Sequence, residues 1–220
     1  MSQARKGKVE LPSGGEVSFL LEGPAGARDL VVLAPGAGAG MTHPFMESFA
    51  GGLSAADLAV LRFDFLYTEL GKKAPDRAPV LEATFEAVAE KAGKLGHKRV
   101  FLGGKSMGGR IASQVVARGR AADGLVFLGY PLHPPGKPER LRDAHLYGIQ
   151  IPMLFVEGTR DPFCPLDTLK TVRSRLTASA EVAVIEDGDH SFKVRKSSGR
   201  STEAAWEEVV LAVSSWIHRL

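Results

Sequence analysis

The 220 residues of this chain are enough to bury one substantial core, and 44% hydrophobic against 24% charged residues is the balance of a globular domain, not of a disordered or membrane-embedded chain. Its 28 basic and 25 acidic residues leave a net charge of only +3, spread along the chain, which argues against a nucleic-acid partner. The densest basic stretches, Arg5–Lys8 and Arg195–Arg200, lack interleaved aromatic residues and read as solvated loops.

Two strands are predicted first, Lys8–Leu11 and Glu16–Leu21, joined by Pro12-Ser13-Gly14-Gly15, where glycine accepts the positive φ of a hairpin turn. Six more follow: Asp29–Ala34, Leu58–Phe63, Arg99–Gly103, Gly124–Gly129, Pro152–Glu157 and Glu181–Ile185. Most are continuously apolar, the pattern of parallel strands covered on both faces. Helical periodicity marks the stretches between them. Val80, Leu81, Thr84, Phe85, Val88, Ala89, Ala92 and Leu95 share one helix face, with Glu82, Glu86, Glu90 and Lys94 opposite. A last helix turns Trp206, Val209, Val210, Val213, Trp216 and Ile217 inward. No repeat, low-complexity run or linker divides the chain. Residues 1–220 therefore read as a single α/β domain, about eight mostly parallel strands with helices on both faces.

In open α/β sheets ligands bind beyond the carboxyl ends of the strands, so the loops after these strands carry the chemistry. The segment 103–110, Gly-Gly-Lys-Ser-Met-Gly-Gly-Arg, has two readings. Gly104-Lys105-Ser106 ends like a phosphate-binding P-loop, but the first glycine of that motif would fall at position 99, which is Arg99 within a strand. A dinucleotide fingerprint at Pro35–Met41, with Asp64 holding a ribose, fails similarly because its third glycine would fall at Met41.

Gly104-Lys105-Ser106-Met107-Gly108 is also G-x-S-x-G, the turn that lifts a nucleophilic serine to the edge of a sheet between a strand and a helix. Strand 99–103 precedes it, and a helix is predicted from Arg110 to Arg118 with Ile111, Val115 and Val116 inward. A serine nucleophile needs a base within hydrogen-bond reach and a carboxylate to orient that base. The loop after strand 152–157 offers Asp161, which as a bare turn or cap residue would also start the helix near 165–177. The loop after strand 181–185 offers His190, and Asp187 and Asp189 stand beside it as alternative acids or as turn formers. Ser106, Asp161 and His190 follow in the chain order this mechanism uses. An oxyanion would take the backbone N–H of Met107 and one from the glycine-rich turn after strand 29–34, Ala37 or otherwise Gly38.

The serine–aspartate–histidine order on this layout resembles the α/β-hydrolase superfamily over essentially the whole chain. The segments APGAGAGMTHPFM, FDF, GGKSMGGR, GYPLHPPGKPERLRDAHL, LFVEGTRDPF and DGDHSF narrow the likeness. They resemble the small hydrolase-like family that includes bacterial proteins, testis-expressed hydrolase-like proteins and subunit 3 of the animal non-specific lethal complex. The resemblance implies an α/β-hydrolase fold with catalytic positions at Ser106, Asp161 and His190, and little about substrate. Dienelactone hydrolase is a more distant likeness whose nucleophile is cysteine, where this chain has Ser106.

Only 22 residues separate strands 124–129 and 152–157, too few for a full lid domain, so an open or shallowly covered site is expected. Tyr130 and Leu132, just past a strand end, are candidate pocket residues, as is His43, which could equally start a helix. Lys105 and Arg160 flank the catalytic positions and would favour an anionic substrate unless they serve structural ion pairs. Neither His43 nor His133 has metal-ligand spacing to another histidine or acid, so no metal and no cofactor are expected. Cys164, the single cysteine, excludes an intrachain disulfide and reads as a buried bystander. The basic N-terminus has no apolar run after it, and no segment is long enough to span a bilayer, which predicts a cytoplasmic protein without membrane association. The expected activity is a serine hydrolase acting on a small-molecule ester, thioester or related acyl bond. The competing reading is a binding or scaffold protein that keeps the fold for contacts with a protein partner.

Overall fold

The computed structural model describes residues 4–220; the first three residues of the N-terminal segment read above lie outside it. Eight strands form one sheet: β1 Arg5–Glu10, β2 Glu16–Glu22, β3 Asp29–Ala34, β4 Ala59–Phe63, β5 Arg99–Lys105, β6 Gly124–Leu128, β7 Met153–Gly158 and β8 Ala180–Ile185. Their order is β1-β2-β4-β3-β5-β6-β7-β8. β1–β2 and β2–β4 pair antiparallel and the other neighbours pair parallel. All eight expected strands are present, β3 with the expected ends and the others with one or both ends shifted. The largest shift is β1, which takes in Arg5–Lys8, expected to be a solvated loop. Paired with Leu21–Ser18, this basic run forms an edge strand, where lysines discourage further strand pairing.

The central strands β3, β4, β6 and β7 are buried along their whole length, which explains their continuous apolar sequence. Helices α1 Pro44–Ala55 and α6 Thr202–Arg219 cover one face, and α3 Ala78–Gly93, α4 Met107–Ala117 and α5 Leu166–Arg173 cover the other. The single-turn α2, Leu66–Glu69, follows β4. The α1–α6 face packs Phe49, Phe101, Val213 and Trp216, and the α3–α4 face packs Phe63, Phe85, Ile111 and Phe155. Glu82, expected on the solvent side of α3, is buried because α3 leans on α4, where Arg118 forms an ion pair with it. The second basic stretch is also tied down: Arg195 pairs with Asp187 and Arg200 with Glu208, around a 3-10 turn at Lys196–Ser198.

The chain runs outward from β3 to β4, then crosses back to place β5 on the other side of β3. That reversal opens a crevice at the carboxyl ends of β3 and β5, the place where open α/β sheets hold ligands. The loops 35–43 and 105–107 meet there.

Candidate active site

β5 ends at Lys105 and α4 begins at Met107, so Ser106 is the whole turn between them. Its backbone has φ 50° and ψ −113°, a conformation costly for a residue with a side chain and typical of a strained functional turn. The Ser106 amide donates to Leu128 O on β6 at 3.0 Å, which pins the turn to the sheet. Two glycines make this possible. Gly104 has φ +157° against Ala34 of β3, and any side chain at Gly108 would collide with the Ala34 and Pro35 carbonyls. α4 thus starts three residues earlier than expected, because Gly108 and Gly109, poor helix formers, lie in its first turn for close packing rather than for propensity.

Ser106 Oγ lies 2.8 Å from His190 Nε2, and His190 Nδ1 lies 2.6 Å from Asp161 Oδ2. A carboxylate only accepts, so Nδ1–H donates to Asp161 and Nε2 is left to accept the serine hydroxyl proton. The Asp161 side chain is fully buried and its Oδ1 accepts the Phe163 amide at 2.8 Å, so both oxygens are held. The Phe163 ring meets the His190 imidazole edge-on, centroids 4.7 Å apart. The alternative acids are engaged elsewhere. Asp187 accepts from the Arg195 amide (2.7 Å) and Nε (2.6 Å), and Asp189 Oδ1 accepts from the Ser191 and Lys193 amides.

The loop after β3 runs against Ser106: a Cβ at Gly36 would stand 3.8 Å from that of Ser106. Ala37 lines the cavity there, and its amide has no acceptor among the described residues. Met107 is the first residue of α4, so its amide has no intrahelical acceptor either. Gly38 is excluded as an oxyanion donor, because its N–H is taken by Tyr67 Oη at 3.0 Å. Asp64, the would-be ribose ligand, accepts the Met41 amide at 2.7 Å inside the protein. His43 caps α1, its Nδ1 accepting the Phe45 amide at 3.2 Å, and also lines the cavity.

A cavity of about 590 Å³ opens over these groups, with Phe45, Met46, Leu81 and Phe163 among its apolar walls. Tyr130 and Leu132 do not line it. Both side chains are fully buried in the core, and the intervening Pro131 and the next residue, His133, face the cavity instead. Tyr130 packs against Phe127 and Phe155, and its hydroxyl donates to Arg142 O at 3.0 Å. Beside Tyr130, Ser113 Oγ contacts His145 Nε2 at 2.8 Å. This second serine–histidine contact is structural: Ser113 is fully buried and does not line the cavity, and no carboxylate among the described residues bonds the His145 ring. Burial lowers the His145 pKa to about 4, so it packs as a neutral ring.

Of the two flanking cations, Arg160 is structural, bonding Asp187 O at 3.0 Å. Lys105 is buried, and its ammonium has no hydrogen-bond partner among the described residues. Burial pulls it down to about 8, while the charges of Asp161, Glu157 and Asp189 oppose that fall. Glu157, at the end of β7, was not a candidate from sequence. It accepts the Tyr130 amide at 2.6 Å, and burial together with the Asp161 charge raises its carboxyl well above the ordinary range. An acid closing an otherwise apolar strand was the one signal for it. Cys164 is buried, and burial pushes its thiol up, away from reactivity.

This arrangement agrees with what the chain is similar to. Residues 27–218 match the family model described as an alpha/beta hydrolase domain, and the chain belongs to that family. Among solved structures, a dienelactone hydrolase from Anabaena variabilis superposes with a TM-score of 0.79 at 20% identity, over 99% of this chain and 97% of that one. An α/β serine hydrolase without lid from Xanthomonas campestris gives 0.75 at 16%, over 98% and 96%. An esterase from Pyrococcus furiosus gives 0.76 at 15%, over 99% and 91%. At these identities the likeness is one of fold.

Proposed function

We propose that the protein is a serine hydrolase that cleaves an ester, thioester or related acyl bond of a small molecule through an acyl-enzyme on Ser106. The observation that carries this reading is the continuous hydrogen-bonded chain Ser106–His190–Asp161 at the apex of a strained turn, open to a cavity. Ser106 Oγ attacks the acyl carbonyl carbon as its proton passes to His190 Nε2. The tetrahedral oxyanion is met by the amides of Met107 and Ala37. Collapse breaks the bond to the leaving group, which takes the proton from His190. Water then attacks the acyl-enzyme, gives a proton to His190, and the carboxylic acid leaves as that proton returns to Ser106. Asp161 keeps the imidazole in the tautomer that accepts from serine and stabilises the imidazolium.

The serine hydrolase and esterase names of the structural neighbours support the class, and the resemblance of six segments to the small hydrolase-like family is the support for a narrower kinship. The test is turnover of 4-nitrophenyl acetate and butyrate by the wild type and by Ser106→Ala. Hydrolysis that depends on Ser106 is expected. A folded wild type with no Ser106-dependent turnover of any acyl substrate would favour a fold kept for binding.

A further inference from the structure

The hydrolase reading leaves two cavity residues without a task. Arg110 sits one helical turn after Ser106 on α4, its amide donating to Ser106 O at 3.1 Å. Its side chain and Ser106 line the same cavity, and its Nη1 is held by Gln114 Oε1 one turn further along α4. Arg142 belongs to the strap between β6 and β7. Its amide donates to Leu132 O at 2.7 Å and its carbonyl accepts from Tyr130 Oη, which fixes its backbone beside the His133 side of the cavity. Neither arginine has a carboxylate within ion-pair distance among the described residues, whereas Arg62, Arg99, Arg118, Arg120 and Arg195 all do. Among the described residues the Arg110 side chain bonds only Gln114, through Nη1 at 3.1 Å, and its Nε is buried with no hydrogen-bond partner. The Arg142 side chain has no hydrogen bond of its own among the described residues.

A buried donor left unpaired and two like charges on one wall are both unfavourable unless something else completes them. Burial lowers the pKa of both guanidinium groups, and the Arg110 charge lowers that of Arg142 further. Lys105 adds a third cation to the lining, against the single acid Asp76, which forms no ion pair with any of them. Cations thus outnumber acids on the cavity lining, and the Glu82 charge only partly offsets the burial of Arg110.

We infer that Arg110 and Arg142 form an anion clamp beside Ser106, and that the substrate carries a carboxylate or phosphate group held by these two side chains. The forked guanidinium donors suit the oxygens of either group, and such charge-assisted hydrogen bonds fix orientation as well as affinity. The apolar lining of Phe45, Met46 and Leu81 leaves room for a short carbon chain between the anion and the acyl carbon. This rests on the proposed hydrolase for the word substrate, but the clamp itself is testable without turnover.

The experiment is calorimetric titration of the full chain with glutarate, with inorganic phosphate and with neutral glutaramide. Binding of at least one anion and not of glutaramide is expected, and the tighter anion identifies the group. Arg110→Gln and Arg142→Gln, each checked for folding by circular dichroism, should weaken that anion by about tenfold to a hundredfold. With 4-nitrophenyl hemiglutarate and butyrate as paired substrates, the preference for the anionic ester should fall in both variants. Failure of both anions to bind the wild type, or unchanged affinity in both variants, would overturn the clamp. If Arg110→Gln does not fold, Arg142→Gln and the comparison of anion with amide on the wild type decide. Anion binding without Ser106-dependent hydrolysis would overturn the hydrolase reading alone, and hydrolysis without anion binding the clamp alone.

Discussion

At the amino ends of β3 and β5, Asp29 receives two hydrogen bonds from Arg99, at 2.6 and 2.8 Å, and Arg99 also donates to Ile217 O at 3.0 Å. At the carboxyl end of the sheet, buried polar atoms stand without hydrogen-bond partners: one each on Asp76, Lys105, Arg110 and His133 on the cavity wall, and the second carboxylate oxygen of Glu157 on β7. Ser54 and Glu82 are the others among the described residues, and Glu82 has Arg118 as an ion-pair partner. One end of the sheet spends its charge on joining β3, β5 and α6. The other keeps charge in reserve, at some loss of stability, around a serine held in strained backbone. Native proteins leave few buried polar groups unpaired, so their concentration at one end marks where a ligand belongs.

If the carboxyl end is catalytic, its substitutions should remove activity while leaving the fold. Ser106→Ala should lower ester turnover by about a millionfold, as loss of a nucleophile does in other triads. Its unfolding free energy in urea should stay within about 1.5 kcal/mol of the wild type, since the change removes one part-buried hydrogen bond and leaves the backbone turn as it is. Asp161→Asn should lower turnover by about four orders of magnitude, because the imidazole would then be held in the wrong tautomer. Asp187→Asn should not reproduce that loss, and if it does, the acid has been misassigned. The amino end should behave in the opposite sense. Asp29→Ala removes both acceptors of the part-buried Arg99 guanidinium and should cost roughly 1–3 kcal/mol in denaturant unfolding, with Ser106 reactivity kept in the folded fraction.

Lys105 gives the smallest and most specific effect. Its folded pKa, about 8, lies below its ordinary 10.5. Below about pH 8 both folded and unfolded chains hold the proton, and the penalty of burying the charge is complete. Between about 8 and 10.5 the unfolded chain still holds a proton that the folded chain has released, so this group makes stability rise with pH. Lys105→Met should therefore differ most from the wild type in unfolding free energy below pH 8, and the difference should change progressively up to pH 10.5. A difference that stays constant from pH 7 to 10.5 would mean that Lys105 is not held in a desolvated site.

Ser106, Asp161 and His190 are legible in the sequence because each is a polar residue just past an apolar strand, in an order that the strand sequence preserves. The strands from β3 onward are legible through apolar runs such as Leu30–Leu33 and Leu125–Leu128, whereas the basic start of β1, Arg5–Lys8, is not, because an exposed edge strand carries no apolar run. What is hidden depends on faces and paths. Tyr130 and Leu132 look like pocket residues by position, but the strap turns their side chains into the core and presents Pro131 and His133. Gly38 is a fair oxyanion donor until Tyr67, 29 residues later, takes its amide. Arg110 and Arg142 are 32 residues apart and share a wall only because the strap returns to α4. Such long-range meetings leave no local pattern to read.

The central claim is that Ser106 is a nucleophile, and intact mass spectrometry after treatment with a fluorophosphonate tests it most directly. A single adduct is predicted, mapping to the peptide that contains Ser106 and absent from Ser106→Ala. A folded wild type that takes no adduct, or takes it at another serine such as Ser113, would contradict the account.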